Sequence, residues 1–186
     1  MIGPSPPRID TNKEAIKPKI KLKKVTSSDL QNLLDLKNES WQSTHRTMIA
    51  NIEDQISWFE KRSKDIHQPK QLMLIAWKTE LPIGLFSISN IDYVSRTADV
   101  SWSVYATYRK HGFGKILVNS GCNFCFNVLG LRRISCEILE YNEASKKCAI
   151  HSGFVFEGTK RQSIFKDGVR LDSNLYGLLD TEFTKE

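Results

Sequence analysis

Ile20-Lys21-Leu22-Lys23-Lys24-Val25 alternates apolar and charged residues, the pattern of a half-buried strand, and order is expected to begin there. The period then changes. Leu30, Leu33, Leu34 and Leu36 recur at helical spacing behind Ser28 and Gln31, which read as a capping box. Ile52, Ile56 and Phe59 share one face of a second helix over 51–63. The segment between them, with Trp41, His45, Arg46 and Met48, has no readable period. Three strands follow at Gln71–Lys78, Ile83–Ile91 and Ala98–Tyr105, with TELP at 79–82 suited to a hairpin turn. In the third, Val100, Trp102 and Val104 fall on one face. A helix over Gly112–Leu129 closes at Gly130, in the position of a left-handed cap. After it come a strand at Arg133–Leu139 and a short helix at Asn142–Ser152 stopped by Gly153. Two last strands, Phe154–Phe165 and Val169–Leu179, are joined by Lys166-Asp167-Gly168, and Asp-Gly is a hairpin signal. This order describes an α+β, or mixed α/β, domain whose helices cover a central sheet.

Composition narrows the classes. A chain of 186 residues, 40% hydrophobic and 26% charged, can bury one core. Its longest apolar runs are broken by charge, short of the roughly 20 residues that cross a bilayer. Ten Gly and six Pro exclude a collagenous or low-complexity chain. MIGPSPPRID has no apolar signal core, so export is not expected and a cytoplasmic location is. Four Cys are too few for a disulfide scaffold and read as reduced thiols. The net charge of +6 is uneven, because residues 1–24 alone hold +5 of it. Residues 1–17 therefore read as a flexible basic, Pro-containing tail, and 18–181 as one domain without a basic stripe. Neither a membrane nor a nucleic acid is an expected partner.

The chemistry concentrates where a strand turns into a helix, at Val104-Tyr105-Ala106-Thr107-Tyr108-Arg109-Lys110-His111-Gly112-Phe113-Gly114-Lys115. Two glycines let backbone approach a ligand closely, and the first N–H groups of a helix attract anions. Arg109, Lys110 and Lys115 add charge that pairs with phosphate. A phosphate or pyrophosphate cradle follows from this, although the stretch is neither a Walker loop nor a full dinucleotide fingerprint.

Arg109-x-x-Gly112-x-Gly114 resembles the [QR]-x-x-G-x-[GA] signature of the GCN5-related N-acetyltransferase (GNAT) superfamily. Asn142-Glu-Ala-Ser145, then Gly153-Phe154 and Gly158, are similar to its N-x-x-[AS] and G-F-x-x-x-G block. Arg161, Lys166-Asp167-Gly168, Asp172 and Tyr176 resemble the branch of ribosomal-protein, spermidine and amino-sugar-nucleotide acetyltransferases. The resemblance covers about 20–180. It implies about seven mostly antiparallel strands, splayed between the fourth and fifth, and about four helices. It implies acetyl-CoA as co-substrate, its pyrophosphate on the amides of Arg109, Lys110, His111, Gly112, Phe113, Gly114 and Lys115. The backbone of Val104 and Tyr105 would meet the pantetheine, with Asn142 and Ser145 on the cofactor's other side. No metal is implied. The acceptor would be a primary amine, an amino-sugar nucleotide or a protein N-terminus ahead of a polyamine, attacking directly in a ternary complex. A homodimer is consistent with the family.

Such a site needs a proton acceptor, because an alkylamine with a pKa near ~10 is about a thousandth neutral at pH 7. Glu137 and Asp99 are the candidates, Glu137 first because it keeps the residue type that the family places there. Where many relatives carry a tyrosine to protonate the thiolate, this chain has Ala149. Ser145, three after the Asn, resembles the serine proposed for that task in some ribosomal-protein acetyltransferases, and its alternative role is to orient the sulfur or a water. The alternative is a non-catalytic acyl-CoA-binding sensor or interaction module. Cys122-x-x-Cys125 reads as a packed thiol face, as do Trp58, Trp102, Phe113, Phe124 and Phe126 as packing groups. His45, with Arg46 and Trp41, lies in the segment that, by the resemblance, borders the acceptor pocket. These residues read first as a loop covering the core, and alternatively as residues that shape substrate choice.

Overall fold

The computed structural model describes residues 19–45, 51–62 and 68–184; the expected tail at 1–17, Arg46 and Met48 lie outside them. The chain runs through β1 (Lys21–Lys24), α1 (Leu30–Glu39), α2 (Ile52–Arg62), β2 (Leu72–Lys78), β3 (Leu81–Asp92) and β4 (Thr97–Val104). It continues through α3 (Phe113–Asn123), β5 (Arg133–Leu139), α4 (Glu143–His151), β6 (Val155–Lys166) and β7 (Val169–Leu179). The strands form one sheet in the order β1-β2-β3-β4-β5-β7-β6. Its neighbours are antiparallel except β4 and β5, which are parallel.

Local chemistry moves some predicted boundaries. The capping box is Thr26 with Asp29, not Ser28 with Gln31: the Thr26 N–H and hydroxyl donate to Asp29 Oδ2 at 2.8 and 2.7 Å. A 3-10 turn over Ser27–Asp29 separates that cap from α1. The β2–β3 turn is Thr79-Glu80, and Pro82 belongs to β3 opposite Trp77, beside a bulge that tolerates its missing N–H. After Asn123 the predicted long helix widens into a π turn over Phe124–Val128. Asp167 and Gly168 turn the last hairpin with φ of 50° and 80°, the paired left-handed conformation that matches strand twist.

The sheet carries a core on each face. Phe86, Ile88, Ile134, Leu117, Val118 and Phe154 pack between it and α3–α4. Gly121 is required there, since a Cβ would lie 2.4 Å from the Phe86 ring. Cys122 and Cys125 belong to the same core, and burial pushes the Cys125 thiol up to about 12. On the other face Leu33, Leu36, Met73, Ile75 and Leu85 pack under α1, with Trp58 and Phe59 of α2 against them. Phe113 and Phe126 are buried, and Phe124 and Trp102 are partly so.

One break in the sheet positions everything that follows. β4 and β5 pair at Thr97/Arg133, Ala98/Ile134 and Asp99/Ser135, and then part.

Candidate active site

Hydrogen-bond parity shows what the parting strands offer. The Tyr105 N–H donates to the Ile83 carbonyl at 3.0 Å, so positions 105 and 83 are a hydrogen-bonded pair. In an antiparallel ladder such pairs alternate, which turns the N–H and C=O of Trp102 and Val104 away from β3 and toward β5. The Asp180 N–H donates to the Arg132 carbonyl at 3.0 Å, and the same alternation turns Glu137 and Leu139 toward β4. The fork is thus lined by main-chain groups of two strand edges. Arg109 Nε fills one of them, donating to the Val104 carbonyl at 2.9 Å.

A cavity of about 250 Å³ passes through this fork. Val100, Ser101, Trp102 and Ser103 of β4 all line it, as do Cys136, Glu137, Ile138 and Leu139 of β5. Side chains of successive strand residues point to opposite faces, so four consecutive residues can share a cavity only where it threads between the strands. Lys37 of α1, Ser40 at its C-terminal cap, and Asn142 and Ser145 at the start of α4 also line it.

Glu137 is held as an anion. Burial alone would raise its pKa, but Lys160 and Ser173 hydrogen bonds, with the charges of Lys160 and His45, bring it below the ordinary carboxylate value. Lys160 Nζ donates to Oε2 at 2.8 Å and the Ser173 hydroxyl to Oε1 at 2.5 Å. His45 lines the same cavity, open to solvent on one side and crowded by protein on the other. That crowding lowers its pKa, and the nearby charges of Lys166 and Lys160 lower it further, while Glu137 pulls it up.

The turn that carries His45 is fastened to the end of β6 and to the residues before α4. Lys166 Nζ, buried at the end of β6, donates to the carbonyls of Trp41, Gln42 and Thr44 at 2.6, 2.9 and 2.9 Å. It also sits 5.1 Å from the Trp41 ring centroid. The Tyr141 hydroxyl donates to the Gln42 carbonyl at 2.8 Å and Asn142 Nδ2 to that of Ser43 at 3.0 Å. Hydrogen bonds to a charged group contribute about 1.5–3 kcal/mol, and unsatisfied carbonyls add to the cost of losing them. Lys166→Met removes three such bonds while relieving the lysine's desolvation, and should cost about 3–5 kcal/mol in urea unfolding and speed amide exchange at 41–45. Unchanged exchange there would show that the lysine does not hold the turn.

Beyond β4 the chain makes a short turn at Ala106–Tyr108 and enters α3 through two left-handed residues, Lys110 at φ 63° and Gly112 at φ 82°. No side chain caps α3, so the amides at its start keep their donors. A Cβ on Gly112 would meet no atom within 4 Å. The need for glycine there is conformational, and the space in front of it is open. Gly114 differs: its missing side chain makes room for Cys148 Sγ of α4, 2.9 Å from where a Cβ would stand. Phe113 anchors the helix start edge-on to Tyr108, with centroids 5.6 Å apart. His111, Lys110 and Lys115 are exposed around it.

The structure brings Glu137, Asn142 and Ser145 to one cavity and leaves Asp99 at the closed end of the fork, where Asn90 Nδ2 donates to its carboxylate at 2.8 Å. Tyr105 is turned away from the fork. Its hydroxyl donates to the Asn32 carbonyl of α1, and burial, with Asp35 and Glu39, pushes it up to about 12. Asn142 caps α4, accepting from the Ser145 N–H at 3.1 Å, while its amide holds Ser43. Ala149 is fully buried in the core. Sequence reasoning missed Lys166 and Ser173, whose partners lie far away along the chain.

Residues 19–155 match the acetyltransferase (GNAT) domain model. The chain is 27% identical over 97 residues to an uncharacterized Bacillus subtilis N-acetyltransferase, YoaA, covering 52% of this chain and 55% of that protein. It is 25% identical over 101 residues to the Vibrio cholerae spermidine N(1)-acetyltransferase, covering 54% and 57%. With the Escherichia coli ribosomal-protein-serine acetyltransferase it shares 22% over 169 residues, 88% and 94% of the two chains. The matches thus span about half the length of the first two relatives. A crystal structure of V. cholerae spermidine N-acetyltransferase in complex with CoA and spermine superposes with a TM-score of 0.82 at 19% identity, covering 88% of this chain and 96% of that one. At that identity the likeness speaks for the fold. With the domain model running from the residues before β1 to the start of β6, the chain belongs to the GNAT acetyltransferase family.

Proposed function

We propose that this chain is an N-acetyltransferase that moves an acetyl group from acetyl-CoA to a primary amine. The carrying observation is the fork, two strand edges with inward-facing main-chain groups around a cavity that holds Glu137 and Ser145. Acetyl-CoA fits the residues present and supplies the thioester. Its diphosphate would be held by the amides that open α3 with Arg109, Lys110 and Lys115, and its pantetheine by the edge at Trp102 and Val104. The Val104 N–H, turned into the fork, is a donor for the oxygen on which charge develops. Ser145, at the start of α4, orients the departing sulfur or a water. Glu137 supplies the negative charge that draws an ammonium into the cavity, where a proton acceptor is needed. Asp99, outside the cavity, takes no part.

An amino-sugar nucleotide or a protein N-terminus suits the cavity better than a polyamine. Its described lining offers one carboxylate, Glu137, already paired with Lys160, and the Lys166 ammonium is fixed on the turn that carries His45. A polycation would meet more positive than negative charge. Similarity to the V. cholerae spermidine enzyme keeps the polyamine as a second reading. Radiolabelled acetyl-CoA offered with an amino-sugar nucleotide, a serine-initiated peptide and spermidine separates them. Label on either of the first two is expected, label on spermidine alone would reverse the order, and CoA binding without transfer would leave a sensor.

A further inference from the structure

We propose that His45 is the group that takes the proton from the acceptor amine, with Glu137 behind it as the anion that stabilises the resulting imidazolium. The inference deepens the acetyltransferase reading and rests on it. A base is wanted at this place, and the pair meets the requirement better than the carboxylate alone. Glu137 spends one oxygen on Lys160 and the other on Ser173, so both are already engaged in hydrogen bonds. A carboxylate held so firmly anionic is a poor proton acceptor from an ammonium of pKa near ~10. An imidazole is matched to that work near neutral pH.

His45 lines the same cavity and is close enough to Glu137 for each to feel the other's charge. The charged groups acting on it come from two elements, Glu137 on β5 and Lys160 and Lys166 on β6. Lys37 of α1 also lines the cavity but gives its ammonium to Gln55 Oε1 of α2. Crowding and the lysines favour the neutral ring, which is the form able to accept. Once the proton arrives, the Glu137 charge opposes its loss. Lys166, through the carbonyls of Trp41, Gln42 and Thr44, fixes the turn from which the ring projects and is a positioning residue.

The step balances simply. An N–H bond of the ammonium breaks and an N–H bond of His45 forms, leaving a lone pair on the amine nitrogen. That pair forms the N–C bond as the thioester C–S bond breaks, and the nitrogen's second proton ends on the sulfur. The proton on His45 then passes to solvent.

Two measurements test this. In the first, kcat/KM against pH is recorded for the wild type, H45Q and E137Q with whichever of the three amines turns over. The wild-type acid limb should lie at or below the ordinary imidazole value of 6.5. H45Q should lose that limb and about 100-fold in rate, with partial rescue by added imidazole. The second is proton NMR of the imidazoles in the protein without ligand, the His45 signal being the one absent from H45Q. Glu137 raises the His45 pKa, so E137Q should lower it further, with the acid limb moving the same way. An unaltered rate profile in H45Q, or a His45 titration indifferent to E137Q, would overturn the inference and leave the acetyltransferase reading intact. Absence of transfer to any amine would overturn both.

Discussion

Gly112→Val should weaken CoA binding about 100-fold or more, the loss expected when about two charge-assisted hydrogen bonds, each worth about 1.5–3 kcal/mol, are removed. Gly112 stands at φ 82° with open space where a side chain would go. A β-branched residue is strained in that conformation, so the turn must change shape, and its methyls would occupy the space in front of the α3 amides. A Cβ there meets no protein atom within 4 Å, so the fold should survive with a modest loss of stability, visible as a native circular dichroism spectrum. Gly114→Ala is the matched control. Its Cβ pushes on Cys148 within the protein, so it should cost stability more than affinity. Equal CoA affinities for Gly112→Val and the wild type by calorimetry would remove the cradle from the account.

Glu137→Gln should lower turnover by about 10–100-fold at neutral pH while leaving CoA affinity unchanged. The carboxylate sits among Lys160, Ser173 and His45, and the amide keeps its shape but not its charge. Its ion pair with Lys160 is half-exposed on the lysine side, so the thermal midpoint should barely move. The acid limb of the rate profile gives the sharper sign. Glu137 raises the pKa of His45, so its removal should shift the limb to lower pH. A shift upward, or a rate loss matched by a loss of CoA binding, would place Glu137 in a different role.

These expectations draw unequally on sequence and on tertiary structure. Arg133–Leu139 and Val169–Leu179 were readable to the residue, because alternation, a glycine cap and Asp-Gly bracket them. The turn that forms the proposed cradle was readable because its parts are contiguous: strand end, left-handed glycine and helix start lie within a dozen residues. The capping box was misplaced by two residues, since Ser28/Gln31 and Thr26/Asp29 fit the same spacing rule and only the 3-10 turn that precedes α1 decides between them. Trp102 read as packing, and it both packs and lines the cavity, because the fork exposes both faces of β4 at once. His45 could be placed near the acceptor from the resemblance, yet nothing local joins it to Glu137. Lys166 read only as part of a hairpin turn and of the family resemblance, and nothing local pointed to its partners, since its three acceptors lie more than a hundred residues away in a segment without periodicity.

The central claim is that the parted edges of β4 and β5 and the start of α3 together receive one extended thioester-bearing ligand. Titrating CoA into the ¹⁵N-labelled protein and following the backbone amides tests it most directly. The account predicts that the amides of Trp102, Val104, Phe113, Gly114 and Lys115 shift together and saturate at a common ligand concentration. Saturable binding that moves other amides and leaves these five in place would contradict it.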